Sequence, residues 1–222
     1  MNIVLPLFSV ILGALLVLAG AAKSQKRLKL LLAFSGAFLL STTVTALLPE
    51  VFDHSNATIS YWILGGIVVQ LVLENLSKGA EHGHIHVHNS SKLPWALLIG
   101  LSLHAFIEGF PIHHHKELLW AIVVHKLPIA MLLTIALWQT KISLLAKTIT
   151  FFCFAVMTPL GSFLNESVPF LHPFALQITA LVVGVMLHIS TTILFESAEN
   201  HKFNTSKIVV FLLGLGLAAM LN

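Results

Sequence analysis

Apolar residues run through this chain in long blocks rather than in one-sided stripes. Eight segments, 3–22, 30–48, 59–77, 94–112, 118–138, 148–164, 173–195 and 207–221, are hydrophobic on nearly every side, and polar turns separate them. A helix that is apolar all round belongs in a large core or in lipid, and about 20 such residues span a hydrocarbon layer about 30 Å thick. The pattern predicts an all-α, polytopic membrane protein with eight transmembrane helices. The second segment reads as ending at Pro49, because proline removes a backbone donor and commonly stops a helix.

Composition agrees with that reading. Of 222 residues, 57% are hydrophobic and 9% charged, and the mean hydropathy is +0.92. A soluble domain is excluded by such figures, and no nucleic-acid partner is expected. The lone cysteine, Cys153, allows neither an intrachain disulfide nor a cysteine-rich metal cluster. The N-terminus lacks a basic flank and its first apolar run is long, so no cleavable signal is expected. Residues 1–222 read as a single integral membrane domain, with a histidine-rich loop at 78–93.

Charge orients the segments. Lys23, Lys26, Arg27 and Lys29 fall in loop one, Lys78 and Lys92 in loop three, Lys141 and Lys147 in loop five, and Lys202 and Lys207 in loop seven. The even loops hold only Lys116. Basic loops stay cytoplasmic, so the odd loops face the cytoplasm and both termini lie outside, at the cell membrane. Helices two and seven share a hydroxyl run, Ser41-Thr42-Thr43 and Ser190-Thr191-Thr192. With eight spans, segments 1–3 and 6–8 have opposite orientations, so the shared run points to an inverted repeat around helices 4 and 5. Ser41, Thr42, Thr43 and Thr45 serve either helix-to-helix hydrogen bonds or a hydroxyl face lining a water-filled inlet.

Candidate chemistry is concentrated in residues 101–129. His104 and Glu108 are four apart and share one helix face, and His125 and Lys126 precede Pro128 on the next helix. With the turn at His113–Glu117, each histidine lies roughly 12–13 Å below the membrane surface, at about 1.5 Å per residue. Ionisable groups at that depth are costly and mark a site or a pathway. Two imidazoles and a carboxylate suit zinc or another borderline divalent metal, and Lys126 supplies the compensating charge for Glu108. Gly109, Pro111 and Pro128 loosen the backbone around the site. Loop three adds His82, His84, His86 and His88, an alternating run that can chelate divalent ions without fixed geometry. His113-His114-His115 on the outer turn is either a metal-capturing group or a plain polar turn, and His54, His172 and His201 receive no role.

Those stretches resemble the zinc/iron-permease (ZIP) family of divalent metal transporters. The resemblance rests on Leu103-His104-Ala105-Phe106-Ile107-Glu108-Gly109, on His125-Lys126-Leu127-Pro128, on Leu47-Leu48-Pro49-Glu50, on the histidine-rich loop three and on the eight-helix, termini-out plan. It implies uptake of zinc or a related metal, as transported substrate with no prosthetic group, toward the cytoplasm through ligands on helices four and five. The carry-over covers His104, Glu108 and His125. Members with a paired-metal centre carry asparagine or a similar polar residue where this chain has Ala105, and often an acidic residue where it has Ile129. The position of Lys126 is acidic or amide in those members, although lysine also occurs there. The resemblance therefore implies a single-metal site completed by water or a neighbouring helix. Partners are the metal ion and the lipid bilayer, and a homodimer is an allowed assembly. Two rival functions use the same residues: a membrane-embedded metal-dependent hydrolase, disfavoured by the lack of H-E-x-x-H and of a second carboxylate, and a non-transporting relative that senses metal.

Overall fold

A computed structural model of the chain describes residues 4–20, 24–53, 58–77, 79, 93–113, 115–196 and 205–221. Among them all regular structure is helical. The eight predicted segments correspond to eight helices: α1 (Val4–Leu18), α2 (Gln25–Asp53), α3 (Ile59–Ser77), α4 (Trp95–Gly109, extended by a 3-10 turn Phe110–His113), α5 (Lys116–Trp138), α6 (Leu144–Ser167), α7 (Ala175–Glu196, preceded by a 3-10 turn Pro169–Phe174) and α8 (Thr205–Leu221). Six of these, α2 to α7, are long and apolar enough to cross a membrane. The apolar helices α1 and α8 are shorter, at 15 and 17 residues.

The expectation that α2 ends at Pro49 is corrected. The helix continues to Asp53 because residues Thr43–Leu47 take a π-helical turn, in which the Leu48 amide donates to the Thr43 carbonyl. Such a turn inserts one residue into the ladder just before the proline, where the regular pattern would otherwise lose a donor. The hydroxyl run contributes to this. Thr43 Oγ1 donates to the Leu39 carbonyl at 2.7 Å and Thr45 Oγ1 to Ser41 at 2.8 Å, while Ser41 reaches across to the Leu215 carbonyl of α8 at 3.2 Å. In α7, Ser190, Thr191 and Thr192 likewise bond to carbonyls of their own helix. Most of these hydroxyls therefore satisfy themselves locally, a habit of Ser and Thr in apolar helices.

Helix pairing divides the molecule into two groups. One joins α1 to α5 and α4 to α6, and α1 also meets α6; the other joins α2 to α8, α3 to α7 and α2 to α7. The groups meet chiefly where α2 crosses α5 and where α3 runs beside α4. Small residues set the closest approaches, as they do in lipid where apolar burial gives helices no preference for one another. A methyl at Gly66 would collide with the Leu181 carbonyl, and one at Gly184 with the Ile63 carbonyl, so α3 and α7 touch backbone to backbone. Gly109 and Gly161 do the same for α4 and α6, against the carbonyls of Thr158 and Phe106. The outward faces of α1, α3 and α8 carry Phe8, Leu15, Tyr61, Val68 and Leu212, exposed apolar side chains suited to lipid contact. Helix α5 lies innermost and delivers its polar residues to the centre.

Candidate metal centre

The centre forms where α4 faces α5 and α6. His104 and Glu108 occur one turn apart on α4, a helix whose other residues at this level are apolar, so the only place for their polar groups is the protein interior. Both are buried, as are His125 and Lys126 on α5. The two imidazoles, which the sequence places on adjacent helices, meet edge to face with ring centroids 6.0 Å apart. Pro128 stays within α5, and Ser9 of α1 donates to the Val123 carbonyl at 2.6 Å one turn before it. That bond fixes α1 against the stretch of α5 that proline weakens.

Glu108 is the hub. Its Oε2 lies 3.2 Å from His104 Nε2, and its Oε1 accepts from Lys126 Nζ at 2.5 Å and from Thr158 Oγ1 at 3.1 Å. Thr158, on α6, also lies 2.8 Å from the Ala105 carbonyl. The Lys126 ammonium sits 4.8 Å from the centre of the Phe154 ring, on the same face of α6. Burying a carboxylate is strongly unfavourable unless it is paired and hydrogen-bonded, and here one cation and one hydroxyl do both. Among the described residues no three His, Cys, Asp or Glu side chains converge tightly enough to hold a metal ion. The lysine takes the place on Oε1 that a cation would contest.

Sequence reasoning found His104, Glu108, His125 and Lys126 but missed Thr158 and Phe154. The available signal was Thr158-Pro159, a hydroxyl ahead of a proline in an otherwise apolar segment. Two further groups were missed. On the side of the α4–α5 turn, His113 Nε2 pairs with Glu166 Oε2 at 3.0 Å and His115 Nδ1 with Glu50 Oε2 at 3.1 Å, while His172 Nε2 lies 3.2 Å from the Glu166 carbonyl. At the opposite end of the helices, His188 Nε2 pairs with Glu74 Oε2 at 2.6 Å. His82, His84, His86 and His88, with His54, His114 and His201, lie outside the described residues.

An all-helical membrane protein with an ionisable His–Glu–Lys centre buried between its helices belongs to the class that handles ions within the bilayer. The sequence model described as ZIP zinc transporter matches residues 74–222, well over half of the chain and the whole of this centre, and the chain belongs to that family. It is also similar to Protein zntD of Dictyostelium discoideum, 28% identical over 168 residues that cover 64% of this chain and 24% of that protein. The chain thus spans about a quarter of the length of that relative. ZIP family members are transporters, which sets the hydrolase reading aside.

Proposed function

We propose that this protein carries a divalent transition metal, zinc first among the candidates, into the cytoplasm through a single-ion site made by His104, Glu108 and His125. The observation that carries the proposal is the convergence of these residues and Lys126 from two helices into one buried cluster. Imidazole and carboxylate are ligands that zinc and its neighbours accept, and the remaining position is left to water or to a neighbouring helix. A metal would have to displace Lys126 from Glu108 and draw His125 inward. Binding and release are then both reachable, as a carrier requires.

Several features support alternating access by relative movement of the two helix groups. The pairs α1–α5 and α2–α8 exchange with α6–α4 and α7–α3 under the correspondence of helices 1–3 with 6–8, as an inverted repeat requires. The centre lies near the seam, on α4 and α5, the helices that touch α3 and α2. In this reading α1 and α8 complete eight spans, basic loops face the cytoplasm, both termini lie outside, and the loop at 78–93 buffers metal on arrival. Uptake of zinc by proteoliposomes holding the purified chain tests the proposal. Metal-dependent flux above empty vesicles is expected; its absence in correctly inserted protein would remove the carrier function.

A further inference from the structure

Thr158 is 1% exposed and stands on α6 directly opposite the Glu108 carboxylate. Its hydroxyl faces two acceptors, the Ala105 carbonyl at 2.8 Å and Glu108 Oε1 at 3.1 Å. A hydroxyl has one hydrogen, so the two acceptors compete for it. The Ala105 carbonyl does not depend on Thr158, because a helical carbonyl at that position already accepts from the amide four residues on. Glu108 Oε1 does not depend on it either while Lys126 lies 2.5 Å away. Dependence begins when the ammonium leaves. Oε1 then becomes a buried anionic oxygen whose remaining neighbouring donor on α6 is Thr158.

Resting on the metal site proposed above, we infer that Thr158 is a positioning residue for the metal-binding carboxylate. As a cation displaces Lys126, the Thr158 hydrogen turns from the Ala105 carbonyl to Glu108 Oε1. That oxygen stays occupied, and Oε2, the one 3.2 Å from His104 Nε2, is presented to the ion alone. A carboxylate held this way binds through one oxygen. One-oxygen binding beside imidazole suits a small four-coordinate ion such as zinc, whereas carboxylate-rich, higher-coordinate sites suit manganese and calcium. The backbone geometry makes the device stiff: Gly109 and Gly161 let α4 and α6 touch, so Thr158 cannot drift from Glu108. Phe154, one turn earlier on α6, already faces the Lys126 ammonium at 4.8 Å, so the same helix face contacts both partners of the pair.

The test uses the full chain in detergent, titrated with zinc alone and then with manganese in competition, and repeats zinc uptake in proteoliposomes. Thr158→Val keeps the shape and removes the hydrogen. It is expected to raise the zinc concentration for half-saturation roughly tenfold, the size of one hydrogen bond to a charged group, and to narrow the preference for zinc over manganese. Thr158→Ser keeps the donor and restores most of that loss. In a Lys126→Met background, where Thr158 already serves Oε1 before the ion arrives, the loss of affinity caused by Thr158→Val should be smaller than in the parent. Thr158→Val binding zinc as the parent does, Thr158→Ser being equally impaired, or an equal loss in both backgrounds would each overturn the inference. Glu108→Gln separates this failure from failure of the site itself. If Glu108→Gln abolishes uptake and Thr158→Val is silent, only the role of Thr158 is wrong; if Glu108→Gln transports normally, the metal site is wrong.

Discussion

The Nζ of Lys126 lies 2.5 Å from Oε1 of Glu108, and both side chains are shut off from solvent. The pair joins α5 to α4 across the proposed metal site, and under that proposal an ion that binds Glu108 must break the pair. At about 4 Å the ammonium repels an incoming divalent ion by about 8 kcal/mol at an effective dielectric of about 20, twice the value for two single charges. Without Lys126, however, Glu108 would be a lone buried anion when no metal is bound.

Lys126→Ala should therefore bind zinc more tightly, by at least about tenfold, release it more slowly and melt earlier when metal is withheld. Equilibrium titration, single-turnover release and thermal unfolding in a chelator check the three parts. The combination Lys126→Asp, Ala105→Asn and Ile129→Glu should bind two ions where the parent binds one. A parent that already binds two ions here, or a Lys126→Ala variant unchanged in all three measurements, would show that the lysine is no stand-in for a second metal.

His104→Ala, His125→Ala and Glu108→Gln should each abolish zinc uptake while membrane insertion is kept. Glu108→Gln should also cost about 3–5 kcal/mol of stability, because it strands the Lys126 ammonium in the interior. Flux assays beside unfolding curves distinguish the effects, and normal transport by any one of the three removes that residue from the site.

Replacing His82, His84, His86 and His88 together by Ser should change apparent affinity or regulation and leave a working carrier. A flexible chelating loop alters local metal supply without forming the passage. Flux measured over a range of zinc concentrations decides this; complete loss would make the loop part of the passage itself.

Gly161→Ala should destabilise the protein by roughly 1–3 kcal/mol or more, since its methyl meets the Phe106 carbonyl and forces α6 away from α4. Gly216→Ala provides the comparison, because nothing lies within 4 Å of its added methyl. Melting in detergent should separate the two, and equal melting temperatures would contradict the tight α4–α6 contact.

Much of this protein is written in local pattern. The apolar blocks located eight helices, with ends that differ from the structure by up to five residues, because lipid and core demand continuous hydrophobic length that little else in a chain supplies. The same logic exposed His104, Glu108, His125 and Lys126, which the structure gathers in one buried cluster: ionisable groups are conspicuous against an apolar background. Pro49 misled, because whether a proline ends a helix depends on whether the ladder before it can shift by one residue, as Thr43–Leu47 does. Only the tertiary structure decided which helices pair, since glycine contacts such as Gly66 with Leu181 join residues far apart in sequence through backbone shape. It alone placed Thr158 and Phe154 of α6 on the Glu108–Lys126 pair, 50 residues along the chain from the carboxylate in the case of Thr158. A threonine among apolar residues carries no local mark of its partner: its hydroxyl could satisfy its own helix, as Thr43 does, and only the packing of α6 against α4 turns it to the carboxylate.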